Sequence, residues 1–361
     1  MYVCKSQSYV LEHFLRLNTV RPESWLSALQ VLTNSPGLSQ KILFPQAGKA
    51  FQARLSFLPS EKLNICGTYL QDASQVSGAN ADSMAVIMPV SGTVTFEVMD
   101  DRCLCNPWTP FVLDPNEDFQ ATVSDESHLL IIQMTGLGSS RYRRNLQQQQ
   151  AWLANLLSGF LYETPFFRNH DHALIRLERL SEQLYSIVDE QQGVPVPASD
   201  RRKRIGDDRR LCKAIQLMNE ELGTDIHIAS IASRAGLSLR NLHYLMKQYT
   251  GQSPYQYIRC RRLIRAREAI IRDYPGSTSI AEQADRWGFQ HPGRFAAYYL
   301  KHFGEYPNET LRGLDRLKQY TDQVKSVHTA ATTPAHYWLS SSAGPECRPP
   351  REARETSGQD C

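Results

Sequence analysis

The clearest chemistry in this chain lies in one short polar stripe. Arg240, His243, Tyr244 and Lys247 fall at i, i+3, i+4 and i+7, one face of a helix, with Asn241 beside them. Leu242, Met246 and Tyr249 fall on the opposite, apolar face. A guanidinium can grip guanine in bidentate fashion, an imidazole can donate or accept, a phenol can meet a base or a phosphate, and an ammonium suits the phosphate backbone. Such a set reads the edges of a groove rather than breaking bonds. A plain solvated helix face can show the same residue types, so the surrounding elements must decide.

Those elements form a pattern written twice. Ile228, Ala232, Gly236 and Leu237 precede Leu242, Met246, Gly251 and Pro254, and Ile280, Ala284, Gly288 and Phe289 precede Phe295, Tyr299, Gly304 and Pro307; the offset is 52 before the turn and 53 after it. Each copy reads as a short helix stopped at a glycine and followed at once by a second helix, with Ala232 and Ala284 where the helices cross closely. Two stabilising helical hairpins would explain a single copy, but two in series favour paired helix-turn-helix readers. Between them, Pro254 to Asp273 can form one helix, with Pro254 in its first turn and Ile258, Leu263, Ala266 and Ile270 along one face. Such a rod would fix the spacing of the two readers.

The runs GLSLRNLHYLMKQYTGQSP, YIRCRRLIRAREAI and WGFQHPGRFAAYYLKHFGEYPNETLR resemble the two-motif DNA-binding domain of the AraC/XylS transcription regulators. The resemblance covers about a hundred residues, and the GRFA and FGE runs are similar to the XylS branch, which senses benzoate-type aromatic acids. It implies double-stranded promoter half-sites as the DNA partner, RNA polymerase as a protein partner, an activator of a catabolic operon, a small-molecule effector and a homodimer. The second motif departs from the first. The 53-residue offset sets Gly293, Ala296, Ala297 and Leu300 opposite Arg240, His243, Tyr244 and Lys247. That bare face suits thymine methyls and groove shape, leaving His291 and Arg294 to hold the backbone or one base edge.

Charge agrees with a polyanionic partner. From Arg201 to Arg312 there are 20 Lys and Arg against 11 Asp and Glu, a net of +9, and the rest of the 361-residue chain carries −6. No charged leader with an apolar run opens the chain, and no apolar stretch is long enough for a membrane span; the expectation is a bacterial cytoplasmic, nucleoid-associated protein that does not meet the membrane. Cysteines at 4, 66, 103, 105, 212, 260, 347 and 361 lack the paired spacing of a structural zinc site and read as reduced thiols. Asp171, between His170 and His172, is more simply a capping or first-turn residue than part of a metal site.

Before the helical region the texture differs. Residues 1 to about 40 read as helical or irregular, whereas Ala53–Leu58, Ala85–Pro89, Thr93–Met99, Phe111–Leu113 and Leu129–Met134 read as short strands separated by turn residues. MPVSGTVTFEV and TPFVLDPNEDF resemble the cupin-like effector domain of the same family. The fold class is therefore α+β: an N-terminal cupin-like β-barrel or sandwich with helices, then an all-α domain with two helix-turn-helix motifs joined by a long helix. His128 is the only histidine from Lys41 to Thr135, so neither a metal nor another cofactor is expected there. An effector pocket would be mainly apolar. Arg54 is the candidate carboxylate partner, solvent exposure being its plainer reading, and Tyr69, Met88, Phe96 and Trp108 are candidate lining residues that could equally be ordinary core.

Two apolar clusters, Leu153–Leu161 and Leu174–Ile187, predict two antiparallel helices that pack on the barrel or serve a dimer interface. The expected division is residues 1–190 for effector binding and dimerisation, with a β core at about 41–135 and helices at about 141–190. A linker at 191–204 follows, then a DNA-binding domain at 205–313 and a disordered tail at 326–361. A repressor or architectural protein without an effector is the main alternative. An enzyme with a DNA-targeting domain, such as an alkyl acceptor, would need a clustered cysteine site that these spacings do not supply.

Overall fold

The computed structural model describes residues 10–43, 50–137, 146, 148–188, 208–276 and 278–326. The linker at 191–204 with its basic cluster Arg201–Arg204, and the tail beyond Ser326, lie outside them. Eleven strands form two antiparallel sheets among the described residues. The six-stranded sheet runs β1 (Leu15–Thr19), β3 (Ala53–Pro59), β4 (Leu63–Leu70), β11 (Ser127–Met134), β6 (Met84–Ser91) and β9 (Phe111–Leu113). The five-stranded sheet runs β2 (Ser39–Ile42), β5 (Ser74–Ala79), β10 (Asp118–Val123), β7 (Val94–Val98) and β8 (Asp101–Cys105). The fold class is α+β, as expected. The strands begin earlier than the expected core at 41, because β1 pairs with β3 and β2 with β5.

Strand parity assigns the side chains. On β6, Ala85 and Ile87 turn into the space between the sheets, while Met84, Val86 and Met88 turn outward; on β11, Leu129 faces in and Leu130, Ile132 and Met134 face out. Both faces are covered, which is why MAVIMPV reads as an unbroken apolar run. The inner core also takes Trp25, Leu29 and Leu32 from α1 (Pro22–Leu32). Outside, α2 (Gln150–Glu163) and α3 (His170–Val188) lay Leu153, Leu157, Leu177, Leu180 and Leu184 on the sheet, so the predicted helix pair packs against the barrel. Asn169 Oδ1 accepts from the His172 N–H at 3.1 Å and starts α3, leaving Asp171 in the first turn.

The C-terminal part is helical throughout: α4 (Arg209–Glu220), α5 (Ile228–Arg234), α6 (Leu239–Thr250), α7 (Pro254–Asp273), α8 (Ile280–Arg286), α9 (Pro292–Phe303) and α10 (Pro307–Ser326). Its repeat is carried by local chemistry. Ser238 caps α6, capping boxes start α7 at Ser253/Gln256 and α8 at Ser279/Glu282, and Pro292 stands in the first turn of α9. Gly251 and Gly304 end α6 and α9 at φ of 70° and 76°, a left-handed conformation that other residues adopt only with strain. Ala232 and Ala284 are buried at the two helix crossings. At 1.5 Å per residue the 20-residue α7 spans about 30 Å.

Barrel and helical array share a polar junction along α7, which packs on β1, and α1 packs on α10. Arg261 of α7 is buried in an ion pair with Glu12, from a 3₁₀ turn at Glu12–Phe14. Arg267 donates to the Leu15 carbonyl at 2.9 Å and pairs with Glu305 at 2.7 Å, and Arg16 reaches Glu305 at 2.7 Å from the barrel side. Arg54 pairs with Glu268 at 2.8 Å.

Candidate nucleic-acid interface

The stripe expected on the first reader is formed by α6. Leu242 and Met246 are fully buried, and this turns Arg240, Asn241, Tyr244 and Lys247 to solvent, with His243 half-buried between them. Tyr244 is 65% exposed, far more than a core tyrosine would be. The sequence reading missed a neighbour: Tyr255, in the first turn of α7 and 66% exposed, lies 6.1 Å ring to ring from His243. Its signal was an aromatic beside the Ser253–Pro254 cap, at a position where the helix has no core to face.

On the second reader, Phe295 and Tyr299 are buried, and His291, Gly293, Arg294, Ala297 and Tyr298 are exposed, with Ala296 half-buried. The bare face expected from the offset is present. Tyr298 was not anticipated; the Arg259 guanidinium of α7 lies 4.5 Å above its ring and fixes its position.

The barrel meets the opposite ends of both readers. Gln252, just past α6, donates from Nε2 to the Phe166 carbonyl at 2.8 Å, and a Cβ on Gly304 would lie 2.6 Å from the His170 ring. Neither contact involves the exposed stripes. Burial pushes the Glu305 carboxyl up, but the guanidinium groups of Arg16 and Arg267 outweigh it and hold this carboxyl far below its ordinary value. Glu268 is shifted the same way, its burial overcome by Arg265 and Arg54.

Between the sheets lies a cavity of about 60 Å³, which α1 closes with Trp25 and Leu29. Its polar lining is neutral: Thr33, Ser35, Thr68, Asn80 and Gln133. Much of it is already engaged, since Trp25 Nε1 donates to Thr68 Oγ1 at 2.9 Å and Asn80 donates to the Ser83 and Asp114 carbonyls at 2.9 Å. Of the candidate effector residues, Phe96 lines this cavity and stacks on Phe111 at 4.3 Å. The other four lie elsewhere. Arg54 is on the outer side of β3 with Glu268, Tyr69 lies 4.7 Å from the His128 ring, and Met88 and Trp108 belong to the core beneath α2 and α3. Among the described residues no group of three or more His, Cys, Asp or Glu side chains could hold a metal, and no helix is long and apolar enough to cross a membrane.

Two helix-turn-helix units on one rod, joined to a two-sheet barrel, define a DNA-binding regulator of the two-reader type. The chain belongs to the AraC family of transcription regulators, a family of regulators rather than enzymes. Residues 231–313 match a helix-turn-helix domain model and residues 42–168 an AraC-binding-like domain model. A XylDLEGF operon transcriptional activator 2 of Pseudomonas putida is 35% identical over 115 residues, 32% of this chain and 73% of that protein. A probable thc operon regulatory protein of Rhodococcus erythropolis is 33% identical over 99 residues, 27% of this chain; that match spans only 30% of the relative's length. The HTH-type transcriptional activator RhaS of Citrobacter koseri is 26% identical over 228 residues, covering 62% of this chain and 74% of that protein.

Proposed function

We propose that this protein is a ligand-responsive transcription activator of a catabolic operon, which reads promoter half-sites in double-stranded DNA as a homodimer and presents a surface to RNA polymerase. The observation that carries the reading is the polar stripe of exposed Arg240, Asn241, Tyr244 and Lys247 with half-buried His243, on a reader helix joined by α7 to a second one. Arg240 and His243 read base edges, Asn241 and Tyr244 meet a base or a phosphate, and Lys247 meets the backbone. Ala296 and Ala297 read thymine methyls, with His291 and Arg294 on the backbone. Residues 1–190 form the effector part, 191–204 the linker and 205–313 the DNA-binding part, in a cytoplasmic protein associated with the nucleoid. Selecting preferred sites from random duplexes tests this. Arg240→Ala should relax preference at one position by about 1–3 kcal/mol, and Arg294→Ala should weaken every site alike. A new base preference caused by Arg294→Ala would overturn the division of labour.

The effector we propose is an aromatic compound held in the barrel against Trp25, Phe96 and Phe119. The XylS-like runs favour an aromatic acid, but no residue lining the cavity is charged, and a buried carboxylate without a partner is costly. Its carboxylate would therefore stay at the mouth, under α1. The cavity is well below the ~150 Å³ that accepts a benzene ring, so α1 must lift to admit a ligand. Thermal unfolding of the full chain with benzoate, salicylate and anthranilate, each beside its uncharged alcohol or amide, tests the reading. Ligand at a hundred times its Kd should add about 2.7 kcal/mol. No shift with any of them would remove the aromatic assignment and leave DNA binding intact.

A further inference from the structure

Two histidines meet at the centre of the junction between barrel and helical array. His13 comes from the 3₁₀ turn of the barrel side and His302 from the last turn of α9, and their ring centroids lie 5.2 Å apart. Both side chains are almost completely buried, at 2% and 4% exposed. Among the described residues, neither ring nitrogen of His13 has a hydrogen-bond partner, and His302 makes no well-formed hydrogen bond, the Arg168 backbone being the one group that approaches it as an acceptor. Phe167 at 6.1 Å and Phe303 at 4.7 Å complete an apolar wall around them.

The charged groups around the pair come from every element that packs there. Glu12 adjoins His13 and is held by Arg261; α7 adds Arg259 and Arg267; Arg168 stands at the start of α3; Arg16 and Glu305 pair at the edge. His170, whose Nδ1 is also buried without a partner among the described residues, lies between Asp171, Arg16 and Glu305. The buried ion pairs thus set three guanidiniums, Arg16, Arg261 and Arg267, against two carboxylates, Glu12 and Glu305. The site already holds excess positive charge, and it offers His13 no acceptor and His302 only the Arg168 backbone.

We propose that His13 and His302 form a proton-sensitive latch: both must be neutral for the helical array to dock on the barrel, and their protonation releases it with both parts still folded. Each ring is apolar filling while neutral. Once charged, the two would stand as like charges beside Arg261 and Arg267, and separating the two parts would bring both to water. The C-terminal end of α9 favours a cation at His302, but the net direction is downward. Burial, then Arg267, Arg261 and Arg259, lower His302 to about 4 against an opposing pull from the Arg168 backbone. Burial, then His302 and Arg261, lower His13 in the same sense. A histidine depressed in the docked form stabilises docking above its released value of 6.5, and that contribution fades as pH falls towards the depressed value. His302 alone then shifts the docking equilibrium about 30-fold toward release at pH 5, and His13 adds to it.

Small-angle X-ray scattering of the full chain from pH 7.5 to 5, with far-ultraviolet circular dichroism alongside, tests the latch. The radius of gyration should rise reversibly below about pH 6.5 with helix and strand content unchanged, and a His13→Gln/His302→Gln variant should keep its pH 7.5 dimensions throughout. Constant wild-type dimensions down to pH 5, or a double variant that expands at the same pH as wild type, would overturn the proposal. Should the double variant be open or unfolded already at pH 7.5, histidine ring NMR on the wild type decides. Two rings that stay neutral while the docked form persists, and take up protons as it opens, support the latch; ring protonation near 6.5 within the docked form sinks it.

Discussion

Removing the Glu12 carboxylate should do more damage to the junction than removing the whole ion pair. Arg261 is only 2% exposed and Glu12 7%, and the pair joins residues 249 apart in the chain. In Glu12→Gln the Arg261 guanidinium keeps its burial but loses the counter-ion that held its charge there against desolvation. An unpartnered buried charge costs about 3–5 kcal/mol, whereas replacing both members by apolar groups of similar size is often neutral. Glu12→Gln should therefore weaken docking by about that amount, limited by the free energy at which the contact opens and Arg261 reaches water. Glu12→Leu/Arg261→Met should recover most of the loss. Small-angle X-ray scattering together with urea unfolding of the full chain reads both steps, as docking strength and fold stability. Single substitutions costing under about 1 kcal/mol, or a double variant no better than Glu12→Gln, would refute the idea of a dry, paired contact.

Other perturbations separate the remaining contributions. Glu305→Gln should weaken docking equally at pH 7.5 and 5.5, because a carboxyl held low contributes fully above its ordinary 4.5 and loses its effect only as pH falls through the lowered value; a marked pH slope in its effect between those points would contradict the assignment. Gly304→Ala should cost about 1–2 kcal/mol from its φ of 76°, and more while docked because the new Cβ meets His170 at 2.6 Å, so its thermal destabilisation should shrink in His170→Ala. Trp25→Ala should lose about 3–5 kcal/mol and open a cavity that indole refills, raising its melting temperature more than that of wild type. Lys247→Ala should lower the slope of log affinity for DNA against log salt by about one, uniformly across sequences.

The helix-turn-helix units were legible because everything that makes them is local. Alanines at the crossings, glycines at left-handed helix ends and apolar residues at helical spacing lie within a few residues of each other, and Leu242, Met246, Phe295 and Tyr299 are buried as that spacing required. The barrel was legible as strands but not as faces. A shift of one residue moves a side chain from interior to exterior, and no local signal set the parity of Arg54, Tyr69 or Met88. The junction left a fainter mark. Arg261 and Arg267 were counted among charges facing a polyanion, yet both are buried and paired with Glu12 and Glu305. Their place among Cys260, Leu263, Ile264 and Ala266, on the inner side of α7, was the available clue.

The position of α1 has a thermodynamic consequence. Trp25 and Leu29 on one side of this helix close the barrel cavity, and α10 of the helical array rests on it, with Leu317 packed against the barrel core. One short helix is thus a wall of two compartments. If an occupant of the barrel lifts that wall and so alters affinity for DNA by some factor, bound DNA must alter affinity for the occupant by the same factor. The promoter would then act on the barrel as an effector does, and the chain's response to any such occupant would become a property of the DNA beneath it.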